Sequence, residues 1–466
     1  MDDLNALRHA SDLPAALTSL GVTTVVIGGA DTFGVMRGKR VPIGQLARIL
    51  EHGMALCDVF WVMHLDESAL VSRPSGHLGY FPTETNGYPD IFALPDRETL
   101  RLVPWHDDTA LLLADWHHPH ENGPIPIDPR HVLKRVIDRA RALGYEPMSA
   151  VELEFYLLKE PTGVRHEKRS VDLVPLGDQP STYGIVLGAQ HEWIAAQIRA
   201  QMAAFDIPIE ACNTETGPGQ FEINLRYSDS LSAADHALLF KTGVKELAAR
   251  NQLLATFMAK PHSDWAGNSA HVHISLQDTA TGDPVFHDAG SSDTMSSTMR
   301  RFAAGSLATM AEFTALMAPN PNSYRRFVPY SWAATTATWG IDNRSAGLRA
   351  ILEGPHGTRL EHRQGGGDVN PYLATAAVIA GGIHGIENEL EPPALTDADV
   401  YAAENRSARL PSTLGEALDL LAASEVAVDW FGSDFVGHYV ATKRAELEAQ
   451  RLAVTDWEIA RYLEPL

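Results

Sequence analysis

Four short stretches of the chain alternate strictly between apolar and polar positions, the period-two pattern of a β-strand with one buried face. In 148–158 (MSAVELEFYLL), Val151, Leu153, Phe155 and Leu157 alternate with Glu152, Glu154 and Tyr156. In 220–225 (QFEINL), Phe221, Ile223 and Leu225 alternate with Gln220, Glu222 and Asn224. His271, His273 and Ser275 share one face of 270–276, and Arg359, Glu361 and Arg363 share one face of 358–363. Taken singly, each stretch is an amphipathic strand with its polar side in water. Taken together, the four polar faces gather glutamate, histidine and arginine without a single lysine, a poor description of solvated surface.

Helical spacing fills much of the remainder. Asp128 suits an N-cap and Pro129 the first helical position; Val132, Leu133, Val136, Ile137 and Ala140 form an apolar stripe, and Gly144 ends it. A second helix is predicted over 190–205 with Trp193, Ile194, Ile198 and Met202 as its core stripe. More helix is expected over 296–316 and after Tyr372, and 278–293 is expected to be surface loop. Residues 23–27 and 109–114 are strand-like, and the Pro/Gly-rich stretch 119–129 (PHENGPIPIDP) marks the clearest domain boundary. Strands and helices alternate without regular βαβ units, which predicts an α+β fold rather than a doubly wound sheet.

Composition narrows the function classes. The 466 residues include 37 Lys and Arg against 59 Asp and Glu, a formal charge of −22 that opposes a broad nucleic-acid surface. Two cysteines, Cys57 and Cys212, make neither a disulfide framework nor a zinc ribbon. The first residues lack a signal-peptide pattern and no apolar run is long enough to span a membrane, so a cytoplasmic location is expected. No GxxxxGK[ST] loop and no GxGxxG after a strand is present.

Carboxylate oxygens with one or two imidazoles suit Mg²⁺ or Mn²⁺. Cations beside arginines are what phosphoryl transfer from a nucleotide needs, because its transition state spreads charge over non-bridging oxygens.

At this level the sequence resembles the glutamine synthetase family. VELEF (151–155), ETGPGQFE (215–222), GNSAHVH (267–273), NSYRR (322–326), NRSA (343–346) and RLEHR (359–363) followed by NPY (370–372) occur in family order with compatible spacing. The resemblance implies a β-grasp domain over 1–120 and a catalytic domain over 121–466 with a curved antiparallel sheet. It implies two or more metal ions per site: Glu154, Glu215 and Glu222 for one, Glu152, His271 and Glu361 for another. Glu210, His273 and Ser275 fall at nucleotide contacts, Arg344 and Arg349 at phosphoryl contacts, and Arg326, Arg363 and Gly267 at glutamate contacts. ATP and L-glutamate are the implied substrates, and a dodecamer of two hexameric rings with sites between subunits the implied assembly.

The departures are informative. The flap glutamate of ammonia-using members, six residues beyond NSYRR, is replaced by Trp332 within 329–334 (PYSWAA). Asp58 keeps the aspartate that the family offers to a neighbouring site, but Val59, Phe60 and Trp61 replace small residues after it. Aromatic rings in place of a carboxylate point to an organic amine, bound at Trp332, Asp58 and Trp61 by apolar walls and cation–π attraction. The expected product is a γ-glutamyl amide of ethanolamine, a polyamine or another small amine, formed through γ-glutamyl phosphate. An ammonia-using glutamine synthetase, an inactive relative, and a Trp332 that merely packs remain alternatives. Tyr401 lies near a position that some members adenylylate, but its neighbours 402–404 differ and no such modification is expected.

Overall fold

In a computed structural model, which describes residues 2–67, 79–81, 87–119, 123–160, 172–401 and 409–464, two sheets carry the architecture. The first contains β1 (Thr24–Ala30), β2 (Met36–Pro42), β3 (Met54–Cys57), β4 (Asp90–Pro95), β5 (Arg101–Leu102) and β6 (Thr109–His117). Its order is β2–β1–β6–β4–β3, with β5 beside β6 and only the β1–β6 pair parallel. β6 lies inside the sheet and is apolar on both faces. Leu112 and Trp116 join Val25, Ile27 and the helices Leu13–Ser19 and Leu46–His52 in a small core. Leu111 and Leu113 join the large core of the rest of the chain. This is the grasp-like N-terminal unit. The expected boundary falls in 120–122, outside the described residues, and the small core takes in Ile125 and Ile127 beyond it.

The second sheet contains β7 (Tyr145–Leu158), β8 (Ile209–Thr214), β9 (Gln220–Leu225), β10 (Ser228–Asp229), β11 (Leu254–Thr256), β12 (Ala270–Asp278), β13 (Trp339–Ile341), β14 (Leu348–Ile351) and β15 (Arg359–His362). Its order is β13–β14–β15–β12–β7–β9–β8, and β10 and β11 also pair with β7. The four alternating stretches are therefore β7, β9, β12 and β15, side by side in one antiparallel run. Val151, Leu153, Phe155, Phe221, Ile223, Val272 and Leu360 line its buried face. Helices Pro129–Ala142, Ser230–Arg250, Ser297–Thr309 and Pro371–Glu387 supply the opposing layer. The last is apolar all round, as suits a helix enclosed by others.

Asp128 caps its helix as expected, accepting the Arg130 N–H at 3.0 Å. Helix Glu192–Ala204 buries Ile194, Ile198 and Met202, which repeat every four residues, but leaves Trp193 52% exposed. Trp193 stands one position off that stripe, about 100° round the helix. The helix expected over 296–316 breaks into Ser297–Thr309 and Thr314–Met317. At the break the Thr309 and Thr314 hydroxyls bond back to the carbonyls of Gly305 and Met310.

Arg130, 2% exposed, fastens the two sheets together. Its guanidinium donates twice to Asp235 (both 2.9 Å), once to Asp115 of β6 and once to Asp96 just after β4 (both 2.8 Å). Tyr372 Oη completes the group on Asp235 at 2.6 Å. No described helix is long and apolar enough to cross a membrane.

Candidate active site

Strand register assembles the site. Glu152 of β7 faces His271 of β12 on one side and Asn224 of β9 on the other, and Glu154 faces Glu222. On the next strands His273 faces Glu361, which faces Arg349 of β14. Residues directly opposite in an antiparallel pair point to the same side, about 5 Å apart. The polar faces read from sequence thus become one continuous polar patch.

The patch floors a cavity of about 500 Å³, lined by Glu152, Glu154, Glu215, Glu222, His271, Glu361, Arg344, Arg349, Arg363, Gly267 and Trp332 among others. A second cavity, of about 430 Å³, is lined by Glu210, His273, Ser275, Tyr227, His356 and Arg359. Glu152 lines both, so the two cavities meet at its carboxylate.

Two carboxylate groups behave differently. Glu154 is half-buried and accepts the Ser269 N–H at 2.7 Å; desolvation and then the charge of Glu215 push it up to about 7. Glu222 rises to about 8 through burial and then the charges of Glu152, Glu154 and Glu215. Glu215, at the end of β8, is raised by burial despite hydrogen bonds from Asn213 Nδ2 and the Thr216 N–H. None of the three is in an ion pair with a described residue. Three half-buried carboxylates that resist ionising together fit the donor set of a hard divalent cation.

Glu152 and Glu361 are held ionised instead. Burial alone would raise Glu361, but the adjacent Arg363 guanidinium and then His271 outweigh it and bring it down to about 2. Arg349 Nη1 donates to Glu361 Oε2 at 2.9 Å. Burial opposes ionisation of Glu152 as well, and contacts from His271 and His273 more than offset it. His271 Nδ1 is 3.2 Å from Glu152 and 3.3 Å from Glu361, while its buried Nε2 meets no described partner. His273 Nε2 is 2.9 Å from Glu152 Oε1 but off the direction of a hydrogen bond. Donor atoms of Glu152, His273 and Glu361 lie within 4.8 Å of one another, a grouping a metal ion could share. His273, expected only at the nucleotide, thus also reaches two of the carboxylates expected at a metal.

Several expected residues are buried within the chain. Arg326 is 2% exposed and donates from Nη2 to Ser269 Oγ at 2.9 Å and from Nη1 to Gln364 O at 3.3 Å. It braces the cavity wall from beneath Gly267, where a Cβ would come within 2.6 Å of the Arg326 chain. Asp58 and Trp61 do not reach the cavity. Asp58 has no exposed surface in the chain, and Trp61 is 1% exposed among Phe60, Phe81 and Trp116. The consecutive apolar residues after Asp58 fill the small core of this chain. Trp332 does line the cavity, with its ring 60% exposed. Arg344 is exposed at the rim, and its guanidinium forms no ion pair with a described residue.

Sequence reasoning missed Gln220 and Tyr183. Gln220, 2% exposed, donates to Gly267 O (2.9 Å), Asn268 Oδ1 (3.0 Å) and Glu154 Oε2 (3.3 Å), and accepts the Gly217 N–H (2.8 Å). Its parity with Glu222 was the available signal. Tyr183 lines the cavity from a loop that carries no periodicity.

Residues 126–462 match the glutamine synthetase catalytic domain. The chain is 37% identical to a glutamate–isopropylamine ligase of a Pseudomonas species, covering 95% of each chain. It is 36% identical to a γ-glutamylethanolamide synthetase of Streptomyces coelicolor, over 100% of this chain and 96% of that one. Among solved structures, an ADP complex of GmaS superposes with a TM-score of 0.84 at 30% identity, covering 97% of this chain and 100% of that one. A chain that shares this domain, and over a third of its residues with these relatives along nearly its whole length, belongs to the glutamine synthetase family.

Proposed function

We propose that the protein is an ATP-dependent ligase that joins an organic amine to the γ-carboxylate of L-glutamate. The observation that carries this reading is the meeting of two cavities at Glu152, one shaped by Glu210, His273 and Ser275, the other by Glu154, Gly267 and Arg363. A nucleotide in the first and glutamate in the second present the γ-phosphoryl group and the γ-carboxylate to one another.

A γ-carboxylate oxygen attacks the γ-phosphorus of ATP and the bond to ADP breaks, giving γ-glutamyl phosphate. The amine nitrogen then attacks the activated carbonyl carbon, phosphate leaves, and the nitrogen gives up a proton. Activation replaces a leaving group that cannot depart with one that can. Arg344, exposed at the rim, and Arg349 supply positive charge to the transferring phosphoryl oxygens. Arg363 faces the glutamate carboxylates, with Arg326 behind Ser269 setting the wall against which glutamate lies. Glu154, Glu215 and Glu222 would hold one divalent ion, and Glu152, Glu361 and the two imidazoles another, Mg²⁺ or Mn²⁺ in each case. Such ions neutralise phosphate charge and polarise the phosphoryl group.

The ring of Trp332 at the cavity mouth, where a carboxylate would serve ammonium, favours an organic amine such as ethanolamine, a small alkylamine or a polyamine. Phosphate release from ATP with glutamate, Mg²⁺ and a panel of amines including ammonium tests this. Turnover with an organic amine and little with ammonium supports it; efficient turnover with ammonium alone makes the protein an ammonia-using glutamine synthetase. A ring assembly is supported by Trp457, Ile459, Tyr462 and Leu463, all exposed near the end of the chain. Size-exclusion should show Trp457→Glu eluting smaller than wild type, and an already monomeric wild type would overturn the assembly.

A further inference from the structure

Trp332 stands between two cavities. It lines the catalytic one and, together with Arg344, an outer one of about 490 Å³ whose walls also include Tyr330 and Tyr401. The backbone is left-handed at Trp332 (φ 61°) and at Tyr330 (φ 64°), a conformation that bulky side chains hold only when surroundings enforce it. Both rings are exposed, at 60% and 68%, so burial of the rings does not hold this loop.

The restraint comes from behind. Tyr401 Oη donates to Ala333 O at 3.0 Å, so the phenol ties the residue next to Trp332. The Tyr401 ring meets that of Tyr330 at 5.3 Å between centroids. Tyr401 is itself anchored. Its N–H donates to Asp399 Oδ1 (3.0 Å), the Val400 N–H donates to Ser345 Oγ (3.1 Å), and Asn343 Nδ2 donates to Thr396 O (2.9 Å). Segment 396–401 is thus laced to the turn that carries Arg344. Tyr401 lines the outer cavity and is absent from the lining of the catalytic one, so it acts there through the Trp332 loop, although the charges of Arg363 and Arg326 reach its phenol.

We infer that Tyr401 is a positioning residue for the nucleophile: its phenol latches the Trp332 loop against the catalytic cavity and so sets which amine is accepted. The inference rests on the amine-ligase reading of that cavity. Tyr401→Phe keeps the ring against Tyr330 and removes the latch.

The test is steady-state kinetics of wild type, Tyr401→Phe, Trp332→Ala and the double variant, with amine, glutamate and ATP varied in turn. Tyr401→Phe should raise the amine KM about fivefold, the worth of one hydrogen bond, and lower the preference for the amine over ammonium. Its glutamate KM should change by less than its amine KM, because the hydrogen bond removed ends on the Trp332 loop and the charges of Arg363 and Arg326 are kept. On a Trp332→Ala background the same change should add nothing, since the residue it positions is gone. An unchanged amine KM, an equal rise in the glutamate KM, or additive effects in the double variant would each overturn the latch. A wild type that uses ammonium alone sinks the amine reading but not the latch, which is then read from the ammonium KM against the glutamate KM.

Discussion

Glu154 on β7 and Glu222 on β9 stand directly opposite one another across a pair of hydrogen-bonded strands. Like charges at that separation destabilise a sheet, and burial pushes both carboxyls far above their ordinary range. A divalent cation would turn the repulsion into a shared ligand set. Glu222→Gln should therefore melt higher than wild type in EDTA, by about 1 kcal/mol, yet gain less from excess Mg²⁺ or Mn²⁺. Thermal melts with and without metal decide it, and an equal metal shift in both proteins would remove Glu222 from the metal site.

Arg344 offers a cleaner separation of chemistry from folding. Its side chain is exposed and holds no ion pair with a described residue. Arg344→Ala should keep the wild-type Tm and lose about a hundredfold in kcat, the scale for removing one preorganised charge stabiliser. A loss confined to KM would assign it to ground-state binding instead.

At Trp332 the expected change is in choice of nucleophile. Trp332→Glu places a carboxylate at the cavity mouth, where it can attract ammonium and accept its proton. Ammonium turnover should rise and organic-amine turnover fall, measured as the ratio of the two kcat/KM values. If both fall together, the ring is packing the loop and does not select the substrate.

Lys241 gives the pH test. It is buried with Nζ donating to Val369 O at 2.8 Å, and burial followed by the charge of Lys245 brings it down to about 7. An unfolded lysine keeps its proton up to about 10. Above pH 7 the unfolded chain therefore binds more protons at this site than the folded one, so this group's contribution to stability rises with pH. The stability of wild type relative to Lys241→Met should increase by about 2 kcal/mol between pH 7 and pH 9. A difference that does not change with pH would mean that Lys241 stays charged.

The sheet that bears the site was legible because a strand's period of two turns sequence into direction: Glu152, Glu222, His271 and Glu361 could point only one way once their apolar neighbours were buried. Which strands would adjoin was not written in any one of them, and came through the resemblance. Burial of polar groups was harder to see. Arg326 in NSYRR carries no sign in the sequence that it is buried and bonded to Ser269 and the Gln364 carbonyl. Asp58 and Trp61 occupy family positions whose role depends on exposure, and exposure follows from the tertiary packing of a run that also includes Val59 and Phe60. Loops gave no signal at all, so Tyr183 and the tie between Tyr401 and Ala333 emerged only in three dimensions.

The Arg130 cluster has a consequence for how substrates come and go. Swinging the grasp-like unit away as a rigid lid would break the charge-assisted hydrogen bonds of Asp96 and Asp115 to Arg130, which water entering the opened seam would only partly replace. A hinge at that seam is thus disfavoured, and exchange at the cavities falls to short loops such as the one that bears Trp332, whose movement asks nothing of whole domains.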